Sequence, residues 1–335
     1  MKVNSFKIKT IIAAFILFFT QCLFAQNERI LYAGLVNSKG YVAGAKLSPS
    51  GLYRFSGDTT WVHIGWNHPR VNGIAFAPTH PQVIFLAGGN GVLRSLDSGK
   101  SWRIATGWEV TEVQDIAVDP ISPHNVYIAT PYGIWHSTDQ GETWIESNNG
   151  LSQKYTQTIE VDRTHSGRVF AGTQGGLFLS ENGAHSWSLS TARDIPVHDI
   201  QQSAVEPDLW MMGTEQNGVF ISKNGGKEWR KAKGNIALAS IYAVALNHFD
   251  TKIMAASGWD TGVFLTKDSG TTWQQHMTGL PTPHIYEVIF DYNHAGEIWV
   301  ATVEKGIYKS NDFGHSWSYC GMFGAIVFDM KFQIK

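Results

Sequence analysis

Ser137-Thr138-Asp139-Gln140-Gly141-Glu142-Thr143-Trp144 has the form S-x-D-x-G-x-T-W, and the chain keeps rewriting it. Ser95–Trp102, Thr266–Trp273 and Ser310–Trp317 are three more good copies. Ser222–Trp229 carries Asn224 in place of Asp, and Ser180–Trp187 has Asn182 with its Gly shifted to 183. The weakest copy, Ser56–Trp61, keeps little beyond its Thr-Trp ending. The tryptophans that close the copies fall at 61, 102, 144, 187, 229, 273 and 317, in steps of 41, 42, 43, 42, 44 and 44. A period near forty with one turn per unit predicts a ring of similar blades.

The motif reads as a hairpin turn. Asp or Asn accepts hydrogen bonds from N–H groups inside the turn. Gly takes a backbone conformation that strains other residues. Trp supplies a large apolar anchor between neighbouring sheets. All of this is structural chemistry, and none of it is catalytic.

These copies resemble the Asp-box (BNR) repeat of sialidases, sortilin-type receptors, xyloglucan-hydrolysing enzymes and photosystem II assembly factors. The resemblance implies an all-β propeller. It does not choose a function, because the same repeat serves enzymes and binding proteins.

Between motifs, the strand signals fit a four-stranded antiparallel blade. Val113–Pro120, Asn125–Thr130 and Gly133–His136 read as three strands, and a fourth starts at Thr143. The ends break the pattern informatively. Arg29–Gly34 reads as a second strand with no first strand before it, while Val327–Gln333 matches the first-strand pattern of Ile285–Asp291. The expectation is a seven-bladed propeller closed by the C-terminal strand completing the N-terminal blade.

Lys2, Lys7 and Lys9 precede an apolar run, Ile11–Phe19, too short to span a bilayer. Residues 1–25 therefore read as a cleaved signal peptide, with cleavage after Ala25, and residues 26–335 as one propeller domain. Phe19-Thr20-Gln21 before Cys22 fits a lipoprotein signal poorly. The expected location is secreted or periplasmic, with no transmembrane segment after signal removal. Cys320 is then left without a cysteine partner, so stability rests on burial and strand pairing. A 43% hydrophobic content with 34 Gly suits many short strands and tight turns. Net charge is −2 with no long run of one sign, which gives no support for nucleic-acid binding, and no nucleic-acid partner is expected. The 13 histidines show no metal-binding spacing, and no cofactor or metal ion is expected.

The motif turn joins strands three and four, so the loops between strands two and three and between blades open on the opposite, variable face. In the enzymes the chain resembles, that face carries the active site. Loops there hold Trp66, Arg70, Trp108, Glu112, Trp259, Asp260 and His284, and the longest spans Val36–Ser50. Aligning the first strands places Asn72, Gln114, Gln157, His198, Tyr242, Tyr286 and Phe328 at one position. Gly73, Asp115, Thr158, Asp199, Ala243, Glu287 and Asp329 follow at the next. Both positions belong where the strands meet the central channel. Four carboxylates there suit acid/base chemistry or cation binding, and equally suit hydrogen bonds that tie blades together. Trp66, Trp108 and Trp259 suit sugar stacking or packing between blades.

A sialidase reading lacks its three arginines and its Arg-Ile-Pro motif; Arg193-Asp194-Ile195-Pro196 is interrupted. Glu112, Asp115, Asp260 and Glu287 are the acids a glycosidase would draw on. Tyr242, Tyr286, His198 and Arg70 are the groups a polysaccharide lyase would draw on. Neither set forms a motif. The sequence reading is a binding or assembly scaffold taking a polypeptide or polysaccharide ligand on the variable face. A carbohydrate-active enzyme at that face is the alternative.

Overall fold

The computed structural model describes residues 29–38, 49–68 and 70–334. The expected signal segment with Cys22, and most of the long loop at 36–50, lie outside the described residues.

Seven four-stranded antiparallel sheets form a closed ring. The first strands are Ala325–Ile334 in blade 1, Val71–Phe76 in blade 2, Asp115–Val118 in blade 3 and Thr156–Val161 in blade 4. Val197–Gln202, Ile241–Leu246 and Ile285–Phe290 serve blades 5, 6 and 7. Second strands such as Val126–Thr130, Val169–Thr173 and Ile298–Thr302 are buried along their whole length, because each lies mid-blade with a neighbouring blade on either face. Their continuous apolar runs follow from that position. The fourth strands are edge strands of two to five residues. In blade 3 the strand is Ile145–Glu146 and starts two residues after Thr143. Short outer edges resist pairing with other chains. Among the described residues the one helical element is a 3-10 turn, Gly234–Leu238, and no helix is long and apolar enough to cross a membrane.

Blades pack face to face through their middle strands. Phe85 and Val92 of blade 2 meet Ile116, Val126 and Ile128 of blade 3 in one buried cluster, with Trp144 packed against it. Each such apolar side chain contributes about 1.5–3 kcal/mol on burial. Trp144, Trp187 and Trp61 also donate their indole N–H to the preceding blade, at Ala105 O (3.0 Å), Ser147 O (2.7 Å) and Cys320 O (2.7 Å). Gly65 lets Trp102 lie against the chain leaving blade 1, where a Cβ would fall 2.1 Å from the indole nitrogen.

The motif turn is built as its residue types require. Asp139 Oδ1 accepts from Glu142 N (3.0 Å) and Thr143 N (2.9 Å), and Oδ2 accepts from Thr143 Oγ1 (2.6 Å). Ser137 Oγ accepts from Gly141 N at 2.7 Å and donates to Asp139 Oδ1 at 2.7 Å. Gln140 and Gly141 are both left-handed, at φ 60° and 79°. The shifted copy keeps the same turn: Ala184 occupies the second left-handed position at φ 66°, and Asn182 Oδ1 accepts from Ser186 N. Hydroxyl bonds from Ser101, Thr272 and Ser316 hold Asp97, Asp268 and Asp312 at about 2.

Ring closure occurs where the chain ends indicate. Arg29–Asn37 pairs on one side with Gly51–Gly57 and on the other with Ala325–Ile334, from Arg29 opposite Ile334 to Asn37 opposite Ala325. Val327 and Met330 are buried in a cluster with Leu31, Ala33, Leu35 and Trp299 of blade 7. Removing residues 327–335 strips the inner edge of blade 1 and exposes that cluster. The expected product is aggregated or unfolded in size exclusion and circular dichroism. A monomer with unchanged melting contradicts the closure.

In the turn, Asp139→Ala removes an acceptor that solvent replaces only in part, so it lowers stability by on the order of 1 kcal/mol in urea unfolding. Asp139→Asn keeps Oδ1 and costs less. Because the turn carboxylates titrate below their usual range, their contribution is present above about pH 4 and fades as pH falls towards 2. Equal loss in the Ala and Asn variants contradicts this account of the turn.

Candidate functional site

The seven first strands line a central channel of about 700 Å³. Six of them bulge as they enter it. The register skips Asn72, Gln157, His198, Tyr242, Tyr286 and Phe328 in blades 2, 4, 5, 6, 7 and 1. A bulged residue leaves the ladder and its side chain is re-aimed. That is why this position supplies the mouth of the channel.

The next position carries the acids, and three of them tie blades together. Asp329 Oδ2 of blade 1 accepts from Ile74 N of blade 2 at 2.6 Å. Asp115 Oδ2 of blade 3 accepts from Ile159 N (2.9 Å) and Thr158 Oγ1 (3.1 Å) of blade 4. Asp199 Oδ2 of blade 5 accepts from Val244 N of blade 6 at 2.8 Å. The blades that donate these N–H groups carry Gly73, Thr158 and Ala243 where the accepting blades carry acids. Alternation cannot close on an odd ring. Blade 7 has Glu287 and meets blade 1, which has Asp329, so Glu287 turns back to its own Val288 N at 3.0 Å.

Charge follows the same arrangement. Burial, then repulsion from Asp329 and Asp199, pushes Glu287 well above the usual carboxylate range. Burial pushes Asp199 up to about 7, against the Val244 hydrogen bond and helped by Asp115 and Glu160. Asp115 and Asp329 are also raised, mainly by burial. One channel cation faces these acids directly. Lys331 Nζ stands 3.7 Å from Asp329 Oδ2, and its side chain keeps 38% of its surface open to the channel. Burial disfavours its charge, but Asp329, Asp115, Glu160 and Asp199 together raise it above the ordinary lysine range.

Rings form a continuous arc at the mouth. His198 meets Tyr242 edge-on at 4.8 Å, Tyr242 stacks with Tyr286 at 5.7 Å, and Tyr286 leans on Phe328 at 5.6 Å. The Arg70 guanidinium then lies over Phe328 at 4.4 Å. At the other end of the arc, His198 Nε2 meets Glu215 Oε2 at 2.7 Å, and Ser240 Oγ donates to Glu215 Oε1 at 2.7 Å. Burial lowers His198 despite Glu215, and the Ser240 and His198 bonds keep Glu215 low although burial opposes them.

Of the residues singled out by sequence, Arg70, Asp115, His198, Asp199, Tyr242, Tyr286, Glu287 and Asp329 line this one channel. Trp66, Trp108, Glu112, Trp259, Asp260 and His284 do not line it. Trp259 stacks on His284 at 4.1 Å, and His284 Nδ1 accepts from Asp260 N at 3.2 Å. Packing between blades is not the role of Trp66 or Trp108, which are 53% and 92% exposed. Trp66 follows the five-residue fourth strand of blade 1, Thr60–Ile64, and Trp108 follows the two-residue Arg103–Ile104 of blade 2. Tyr132 and Phe323 are exposed in loops of the same face, and Leu238 is exposed at the end of the 3-10 turn.

Sequence reasoning missed Lys331 and Glu160. Both sit two residues beyond the acid position, so the period-two alternation of a strand returns them to the channel. Arg29, Arg163, His248 and Tyr292 also line the channel and were not anticipated. On the turn face the arginines are structural. Arg94 of blade 2 reaches Gln140 O and Glu142 in the blade 3 turn, and Arg168 of blade 4 reaches Gly225 O (2.6 Å) in the blade 5 turn. Asp291, His294 and Glu297 gather in a turn where Asp291 Oδ1 accepts from Asn293 N and His294 N and Lys309 stands by Glu297, an arrangement that explains the cluster without a ligand.

The Sortilin-Vps10 family model, described as sortilin, neurotensin receptor 3, matches residues 217–323, from the third strand of blade 5 through blade 7. No curated protein matches the chain in sequence. Among solved structures the chain is similar to the GH74 enzyme of Niastella koreensis, with TM-score 0.71 and 16% identity over 86% of this chain and 52% of that one. It is also similar to YCF48 from Cyanidioschyzon merolae, with TM-score 0.57 and 16% identity over 74% of this chain and 84% of that one. A third is the extracellular domain of BT4673 from B. thetaiotaomicron, with TM-score 0.65 and 16% identity over 84% and 38%. The chain spans about half the length of the GH74 enzyme. At these identities the likeness is one of fold. The chain is a seven-bladed propeller with a sortilin-like match in its last three blades.

Proposed function

We propose that this propeller is a binding protein, secreted or periplasmic, that recognises or scaffolds an extended ligand across its variable face. The observation that carries the reading is the unbroken arc His198, Tyr242, Tyr286, Phe328 and Arg70 at the mouth of the channel. Rigid aromatic surfaces offer contact area at low entropic cost, and a few such anchors carry most of a binding energy. Exposed Trp66, Trp108, Tyr132 and Trp259 extend the apolar surface outward on the same face. A polypeptide ligand is favoured over a glycan. YCF48, a propeller similar in fold, has been solved bound to D1 peptide.

The enzyme reading draws on one specific observation, the raised Glu287, a property shared by general acids. Against it, Asp115, Asp199 and Asp329 are engaged as ties to neighbouring blades. Tyr242 is raised, chiefly by burial and then by Glu215, the wrong direction for a lyase base. The test exposes wild type, Tyr286→Ala and Glu287→Gln to panels of polypeptides and polysaccharides, measuring retention and released product. The expected result is retention without product, reduced at least about tenfold in Tyr286→Ala. Oligosaccharide released by wild type and lost in Glu287→Gln, with retention intact, contradicts the binding reading.

Binding sites kept at a cost to the fold leave a trace in stability. Asp199 is raised in the folded chain, so between about pH 4 and 7 the folded state holds a proton that the unfolded state releases. Its contribution is present at low pH and is lost as pH rises to about 7. Asp199→Asn retains an acceptor for Val244 N and removes that loss. It raises the melting temperature by about 2 °C or more at pH 8, and by less at pH 4. A variant less stable than wild type at pH 8 contradicts this.

A further inference from the structure

Five carboxylates line the channel: Asp115, Glu160, Asp199, Glu287 and Asp329. The fold answers three of them. Asp329 has Lys331 at 3.7 Å, and Glu160 has Arg163 at 3.8 Å. Asp115 takes three hydrogen bonds, from Ile116 N, Ile159 N and Thr158 Oγ1. Asp199 and Glu287 are different. Each takes one backbone N–H, so among the described residues Asp199 Oδ1 and Glu287 Oε2 have no donor. Glu287 is nonetheless only 9% exposed. A carboxylate that deep without a counter-ion is costly to keep.

These two acids flank blade 6, whose residue at that position is Ala243. Its methyl, 1% exposed, packs into the core between blades 6 and 7, so blade 6 sets neither a cation nor a side-chain donor between them. The next residue outward in blade 6 is the bulged Tyr242, with His198 edge-on to one side and Tyr286 stacked on the other. The arc already holds one cation, since Arg70 lies over Phe328 at its end. Tyrosine faces above a carboxylate floor attract cations by the same physics. Asp291, His294 and Glu297 are the only His/Cys/Asp/Glu triad among the described residues with ligand atoms within 4.8 Å of one another, so no three channel acids converge on one point. A cation carried on a longer organic stem can lie between two acids and against rings at once. An anionic group is repelled by both acids, and a neutral group leaves them without a counter-ion.

We infer that the channel mouth receives the cationic side chain of a polypeptide ligand, a lysine ammonium or an arginine guanidinium, seated against Tyr242 and Tyr286 with its charge between Asp199 and Glu287. The inference rests on the binding reading and names the part of the ligand that enters the channel.

The probes are N-acetyl-lysine amide and N-acetyl-arginine amide, with N-acetyl-glutamine amide and N-acetyl-glutamate amide as controls. They are titrated at pH 8 into the whole protein and followed by saturation-transfer NMR. The lysine or arginine amide, or both, bind saturably and at least about tenfold more tightly than either control. The Asp199→Asn/Glu287→Gln double variant, which melts no lower than wild type, loses that preference. Tyr286→Ala weakens the cationic probes as well, reporting the ring contact separately. Equal binding of the glutamine amide, or a preference that survives in the double variant, overturns the cation assignment. If Tyr286→Ala abolishes retention of a polypeptide whose binding ignores lysine and arginine, the cation assignment falls and the binding reading stands. If no probe binds and no polypeptide or glycan is retained, both fall.

Discussion

Six of the seven blades enter the channel through a bulge, and the backbone N–H groups just beyond the bulges must find acceptors. A buried N–H without one costs about as much as a lost hydrogen bond. Asp329, Asp115 and Asp199 supply acceptors to the next blade at Ile74, Ile159 and Val244. These bonds set the spacing of the inner strands and so the width of the channel. Seven is odd, so acid-bearing and small-residue blades cannot alternate all the way round. The fault falls between Glu287 and Asp329, beside the seam where the two chain ends meet. Lys331, on the closing strand itself, answers Asp329 and leaves Glu287 without a cation.

The two faces of the ring divide the work. On the turn face, hydroxyls and backbone N–H groups saturate the Asp139-type carboxylates, and Arg94 and Arg168 stitch one blade to the next turn. Polar groups there are spent on structure. On the variable face, aromatic side chains stand exposed and two acids are left under-satisfied. Structural polar groups find their partners within the fold, whereas groups kept for a ligand do not.

Much of the fold was legible because repetition amplifies a weak signal. One S-x-D-x-G-x-T-W turn means little, but Trp61 to Trp317 at near-constant steps count the blades, and the orphan Arg29–Gly34 and Val327–Gln333 locate the closure. The copy at Ser180–Trp187 looks degenerate only by its letters. Its hydrogen bonds survive because Ser180 and Asn182 carry them, and Ala184 tolerates the left-handed backbone. The fourth strand of blade 3 starts at Ile145 and not at Thr143, because Thr143 belongs to the turn through its bond to Asp139. The site was half legible. The mouth and acid positions emerged from aligning first strands, yet Lys331 and Glu160 were passed over although strand alternation points to them. The exposure of Trp108 could not be read from sequence, since a tryptophan between blades has the same letters whether it packs or projects.

Burial and repulsion among the channel acids hold Asp199 and Glu287 above the usual carboxylate range, with Glu287 at the fault of the odd ring. Side-chain carboxyl carbon shifts, followed by NMR from pH 3 to 9 and assigned by Asp199→Asn, test it most directly. The account predicts that Asp199 titrates at about 7, far from the turn carboxylates Asp97, Asp268 and Asp312 at about 2 in the same molecule. An Asp199 carboxyl that titrates near 4, as in an unstructured peptide, contradicts it.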